Sequence, residues 1–322
     1  MSVSRVGVVT GTRLGSALVD GLVDGLHSIT RDRGNLVLLL ALHPSHALTT
    51  VGYADVLHAH GPRFEIADYF HSTKSDRFSA LVLEARLDFL LVISLSQLIP
   101  QQLVDCHSEW HLEEGSRIYK RACVGAHPSP LPSGRGRAPI PWTIINDLRT
   151  SALTIFALDQ GTDDGPVIQQ SEFYIDVNDD AASLYERVRY LHRSAGHALA
   201  KPLSAGVLVA KPQDHARATV WERRAPADGY ISSAYSADYI CKLVRAGRPP
   251  YPLPFIVIGE TRIDVSDAWP ILIDEETPPG TILKLTSEYI DLQLAIGAVR
   301  LVFAFSLESE IPLALLSNLV IP

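Results

Sequence analysis

Residues 122–142, ACVGAHPSPLPSGRGRAPIPW, and residues 153–166, LTIFALDQGTDDGP, decide how this chain is read. Each opens on an apolar run of strand length and empties into a loop rich in glycine, proline and polar residues. The first loop begins with His127. The second carries Asp159, Asp163 and Asp164 among glycines. In an open α/β sheet, ligands bind beyond the carboxyl ends of the strands. The expectation is that His127 and an aspartate leave two strands at the same edge and meet there.

Upstream, residues 5–10 (RVGVVT) read as a buried strand that turns through Gly11–Gly15 into a helix. The turn is not a G-x-G-x-x-G fingerprint, so it implies no dinucleotide. Residues 36–42 (LVLLLAL) and 89–93 (FLLVI) are continuous apolar runs, as strands buried on both faces are. Residues 47–61 are open between a helix and an irregular loop, and 63–69 read as a short strand. Residues 74–87 have helical spacing. The stretch 94–104 (SLSQLIPQQLV) is a loop with a following helical turn.

Downstream, 167–175 read as a strand. Asn178 and Asp179 are placed to cap a helix from Asp180 to about Leu203. Beyond residue 206 the chain turns polar and irregular, then gives a short helix at 237–247. Short strands separated by turns follow, the pattern of a small β-barrel or sandwich. The expected fold is therefore α/β, a doubly wound, mostly parallel sheet in residues 1–205 followed by a smaller C-terminal β-barrel domain in 206–322.

The length, 322 residues, suits two domains. A net charge of −8 withholds the electrostatic term that dominates nucleic-acid binding. Three widely spaced cysteines point to a reducing compartment and no disulfide framework. No apolar run is long enough to span a bilayer, and residues 1–15 show no signal peptide, so the expectation is a cytoplasmic protein without a membrane partner. Residues 105–118 are polar. His107 and His111 would share a face on a helix, but no remote ligand accompanies them, so no metal is expected and the stretch reads as a solvated surface excursion.

The two loops resemble those of the formyltransferase family, which includes methionyl-tRNA formyltransferase and the sugar N-formyltransferases. The family pattern N-x-H-x-S-x-L-P-x-x-R-G, then D-x-G-x-D-x-G, is matched by His127, Ser129, Leu131, Pro132, Arg135 and Gly136, then Asp159, Gly161, Asp163 and Gly165. The run 87–104 resembles the family's folate-binding strand and loop. WERRAPADGYI and LVRAGRPPYPLPF resemble the entrance to a C-terminal, OB-like barrel. The resemblance implies N10-formyltetrahydrofolate as cosubstrate, a primary amine as acceptor and a Rossmann-like catalytic domain. It implies His127 and Asp163 as catalytic residues, with Val92, Gln97, Leu98, Ile99, Leu158, Asp159, Gln160 and Gly161 around the folate. Ser129 and Arg135 are candidate substrate contacts.

One departure stands out. The family's asparagine, whose amide is assigned to the oxyanion, stands two residues before the histidine, and here that position is Gly125. A backbone N–H of Gly125 or Ala126, or the hydroxyl of Ser129, is a candidate substitute. A hydrolase or a non-catalytic binding relative therefore stays open beside the transferase. Residues 206–322 hold ten Lys and Arg against fourteen Asp and Glu. A barrel that grips tRNA would be basic, so a small amine, first of all a nucleotide-linked amino sugar, is favoured over tRNA as partner. A homodimer is allowed.

Overall fold

A computed structural model describes residues 4–30, 36–274, 277–306 and 321. In chain order the elements are β1 (Val6–Thr10), α1 (Arg13–Thr30), β2 (Leu36–Leu42), α2 (Val56–His60), β3 (Ile66–Phe70), α3 (Asp76–Glu84), β4 (Phe89–Ile93) and α4 (Gln101–Cys106). Next come β5 (Glu109–Glu113), β6 (Ser116–His127), β7 (Arg135–Gly136), α5 (Pro139–Ile145), β8 (Thr150–Ala157), β9 (Val167–Tyr174), α6 (Ala181–Ala205), β10 (Leu208–Ala210) and β11 (Val220–Trp221). The last are α7 (Ala237–Ala246), β12 (Phe255–Ile258), β13 (Thr261–Ile271), β14 (Ile282–Leu285), β15 (Tyr289–Gln293) and β16 (Ala298–Phe303).

The main sheet runs β3-β2-β1-β4-β6-β8-β9. The first five strands are parallel. Helices cover both faces. On one, Leu18 and Leu22 of α1 and Leu199 and Leu203 of α6 pack with Val8, Leu91 and Val124. On the other, Phe78 and Val82 of α3 and Leu103 of α4 pack with Val9, Leu40, Leu90 and Cys123. All seven residues of β2 are buried, which is what a continuous apolar run requires of its neighbours.

β8 runs antiparallel to β6, with Val124 opposite Ala157, Gly125 opposite Phe156 and His127 opposite Thr154. This corrects the expectation that the two loops leave one edge of the sheet. His127 ends β6, whereas the acidic loop leaves β8 beside Cys123, whose carbonyl accepts the N–H of Leu158 at 2.8 Å. Three residues of strand, about 10 Å, separate the two departure points, so the loop must double back toward the histidine.

Residues 105–118 are not a plain surface excursion. They form the end of α4 and a hairpin in which β5 pairs antiparallel with the first half of β6. β10 pairs with the same stretch of β6 from its other side. His107 is buried at the end of α4 and His111 lies exposed on β5, so the two do not share a helix face. Asp180, rather than Asn178 or Asp179, caps α6: its carboxylate accepts the N–H of Ser183 at 2.8 Å.

The chain divides into two compact units: residues 1–139, 150–174 and 186–221, and residues 140–149, 175–185 and 222–322. Residues 206–221 fall in the first unit because β10 and β11 pair with β6 and β7. The second unit holds an antiparallel sheet in the order β12-β13-β16-β15-β14. Ile240, Leu243 and Val244 of α7 pack on Ile256, Val265, Ile290 and Leu301. Among the described residues, no helix is long and apolar enough to cross a membrane.

One buried group ties the fold to pH. His192 of α6 is fully buried. Its Nδ1 lies 2.8 Å from the Val188 carbonyl, and Nε2 has no partner among the described residues. Burial pulls its pKa from 6.5 to about 4. His107 is lowered for the same reason. Between these values the unfolded chain binds the proton and the folded chain does not. Stability is thus complete above pH 6.5 and falls as the pH drops toward 4. The loss from His192 amounts to about 3 kcal/mol at its limit. His192→Leu should flatten the fall in Tm between pH 6.5 and 4.5, measured by thermal melts across that range; a variant profile parallel to the wild type's would refute the assignment.

Candidate active site

β6 alternates its side chains between the two faces of the sheet. Cys123, Gly125 and His127 therefore share the face covered by α3 and α4. His127 is 6% exposed. Its Nε2 lies 2.8 Å from the carbonyl oxygen of Gly134. A carbonyl only accepts, so Nε2 carries a proton. Nδ1 faces Oδ2 of Asp163 at 3.6 Å. That separation is longer than a hydrogen bond, so the two groups face each other without a direct bond.

The doubled-back loop reaches this position with help. Asp163 has a φ of +51°, in the left-handed region that costs a non-glycine residue energy. Its Oδ2 accepts the N–H of Gly136 at 2.9 Å. The amide of Gln213 donates to the carbonyls of Asp163 (2.8 Å) and Gly165 (2.7 Å). Arg135, 9% exposed, donates through Nε and Nη2 to Oε1 of Gln213. Gly136 has a φ of +106°, and a Cβ there would run into the carbonyl oxygen of Trp221, so only glycine fits between β7 and β11.

The remaining expected residues fall into two groups. Val92, Ile99 and Leu158, joined by Leu95, form a partly buried apolar wall against the α3–α4 core. Leu98 stands apart at 82% exposed. The side chain of Gln97 is engaged internally, accepting the N–H of Thr73 at 2.9 Å and donating to the His71 carbonyl at 3.0 Å. Asp159 pairs with Arg117 at 2.9 Å, and Gln160 and Gly161 are exposed. Ser129 is fully buried and donates to the Ser133 carbonyl at 2.9 Å. Ser129 and Arg135 therefore hold the loops rather than face outward.

At Gly125, a Cβ would lie 2.8 Å from Cδ2 of Leu158 and 2.9 Å from Cζ of Phe156. The space an asparagine would take is filled by the start of the acidic loop. None of the three candidate substitute donors is available. Gly125 and Ala126 pair with β4 on one side and β8 on the other, and the Ser129 hydroxyl is engaged.

Sequence reading missed Thr73, Arg117, Gln213 and Thr219. Thr219 accepts the N–H of Gly134 through its hydroxyl at 2.8 Å. Each acts on a loop from 25 to 85 residues away in the chain, Thr73 being counted through its 2.7 Å bond to the Leu98 carbonyl. No local pattern marks such partners.

Residues 63–197 match the Formyl transferase family model. The methionyl-tRNA formyltransferase of Thermodesulfovibrio yellowstonii is 27% identical over 217 residues, covering 67% of this chain and 65% of that protein. The chain thus matches a little under two thirds of this relative's length. Among solved structures, the N-formyltransferase of Helicobacter canadensis, in complex with folinic acid and dTDP-3-aminofucose, superposes with a TM-score of 0.61 at 12% identity, over 93% of this chain and 99% of that one. HypX from Aquifex aeolicus, in complex with tetrahydrofolic acid, gives 0.57 at 15% identity, over 93% and 44%. At these identities the structures show a shared fold. The matched segment runs from Arg63 to His197 and holds both loops of the site, so the chain is similar to the formyltransferases over that stretch.

Proposed function

We propose that the chain transfers a formyl group from N10-formyltetrahydrofolate to a primary amine of a small molecule, a nucleotide-linked amino sugar being the first candidate. The observation that carries this reading is the 3.6 Å approach of Asp163 to His127, reached by a loop that has to double back along the sheet to make it. The wall of Val92, Leu95, Ile99 and Leu158 suits a flat heteroaromatic ring: it is apolar and bordered by loop backbone groups, as cosubstrate sites are. The donor, when bound, supplies the formyl carbon.

The chain's own residues then have defined work. Asp163 holds the His127 ring and takes the proton that the attacking amine loses, directly or through one water. His127 serves the negative charge that grows on the formyl oxygen through Nε2–H, which has to leave the Gly134 carbonyl to do so. The new N–C bond forms as the donor's N10–C bond breaks, and the proton taken up by the pair returns to N10. Without the family's asparagine, the reaction lacks one oxyanion donor, a change worth about a hundred- to a thousandfold in rate where it has been measured. A slow transferase is therefore expected.

The acidic balance of residues 206–322 supports a small acceptor; the fold, shared with an amino-sugar and a tRNA enzyme alike, does not choose. A second reading, methionyl-tRNA as acceptor, is favoured by the relatives in sequence.

Donor turnover with and without candidate amines separates the possibilities. Formyl transfer that needs an amino sugar nucleotide supports the first reading, and transfer that needs charged tRNA supports the second. Turnover without any amine indicates a hydrolase, and no turnover at all a binding protein. His127→Ala and Asp163→Asn should each lower turnover at least about a hundredfold, with circular dichroism unchanged; wild-type turnover in either would sink the mechanism. Gly125→Asn should not repair the site. Crowding against Leu158 and Phe156 is expected to cost about 1–3 kcal/mol, read as a lower Tm, and a gain in rate at unchanged Tm would contradict the packing described.

A further inference from the structure

The hairpin of β5 and β6 has no counterpart in the chemistry derived so far, yet it touches the site. Its turn, Glu114–Gly115, has φ of +48° and +78°, the two positive values that a tight hairpin turn of the primed type needs. The register sets Trp110 opposite Tyr119 and Leu112 opposite Arg117, so all four side chains share one face. Tyr119 is buried in the core, while Trp110 remains 40% exposed.

Arg117 lies across that face. Its guanidinium carbon is 4.4 Å from the centre of the Trp110 ring. Its Nη1 is 3.4 Å from the Tyr119 hydroxyl and donates to Oδ2 of Asp159 at 2.9 Å. An ordinary surface ion pair contributes little, because two long side chains must be ordered to form it. Here the stack on Trp110 has already ordered the guanidinium, so less freedom is left to lose.

Asp159 opens the acidic loop. Its other carboxylate oxygen accepts the N–H of Gln160 at 3.0 Å. The anchors supplied by Gly136 and Gln213 all act further on, at Asp163 and Gly165. A left-handed residue such as Asp163 persists only when its surroundings hold it, and the first half of the loop is held from the side by Arg117. We propose that Arg117, stacked on Trp110, is a positioning residue: through Asp159 it fixes the path of residues 159–166 and so the approach of Asp163 to His127.

Hydrogen exchange of residues 158–166 in the full chain tests this without any substrate. Arg117→Ala should speed exchange there about tenfold, Trp110→Ala should do so less, and Arg117→Lys, which keeps the charge without the planar stack, should fall between Arg117→Ala and wild type. Pairing Arg117→Asp with Asp159→Arg should restore protection. Unchanged exchange in Arg117→Ala, or no recovery in the reversed pair, overturns the proposal. The kinetic arm rests on the transferase reading: Arg117→Ala should lower kcat about tenfold while the KM of the amine holds. A wild type without transfer would overturn that reading and leave the exchange result to decide this one. A fall in Tm with unchanged exchange in 158–166 would assign Arg117 to general stability and overturn its positioning role.

Discussion

The antiparallel pairing of Gly125 with Phe156 is the constraint on which the site depends. It fixes where β8 ends, beside Cys123 rather than beside His127, and so obliges the acidic loop to return along the sheet. It also sets Phe156 and Leu158 over the one position in β6 that has no side chain. A larger residue there would have to move the ends of those two side chains aside. The glycine and the path of the loop are therefore one feature.

A returning loop cannot be held by the sheet it crosses, whose backbone groups are engaged in the ladder. It is held instead by side chains from elsewhere. Arg135 grips Gln213, and Gln213 takes the carbonyls of Asp163 and Gly165. Arg135 is buried, and its charge is balanced by amide and imidazole acceptors: Nη2 lies 3.2 Å from Nδ1 of His215 as well as 2.7 Å from Gln213. A guanidinium so enclosed is costly to leave unpaired. This explains why an arginine of the motif is structural here, where the sequence allows it to be read as a contact for the acceptor.

Much of the frame was legible in the sequence. Residues 36–42 and 89–93 are strands with the bounds their apolar runs suggest, because burial on both faces leaves no polar position to blur the limits. The pairing of His127 with Asp163 was legible from residue type and motif. The direction of β8 was not. An apolar run reads the same whichever way it is laid, and the 22 residues between β6 and β8 are enough for a parallel or an antiparallel return. β5 escaped notice for a different reason. All five of its residues are exposed, so the alternation of Trp110 and Leu112 among charges gives only a faint strand pattern.

The filled position at Gly125 bears on how the departure from the family pattern is to be understood. If the asparagine had merely been lost, a pocket would be expected in its place, ready for a water or for the amide to be put back. The space holds the ends of Leu158 and Phe156 instead, and Phe156 is itself 3% exposed. The site has repacked around the glycine, and its wall beside His127 is apolar where an amide would have stood. An apolar wall strengthens the interaction of His127 with any charge that develops near it, because less water competes. The same wall makes an unpaired charge more costly. Under the proposed transfer, the arrangement would place more of the chemistry on the single imidazole and on the loop that sets Asp163 against it, and the distant residues that hold that loop would weigh as heavily as that pair.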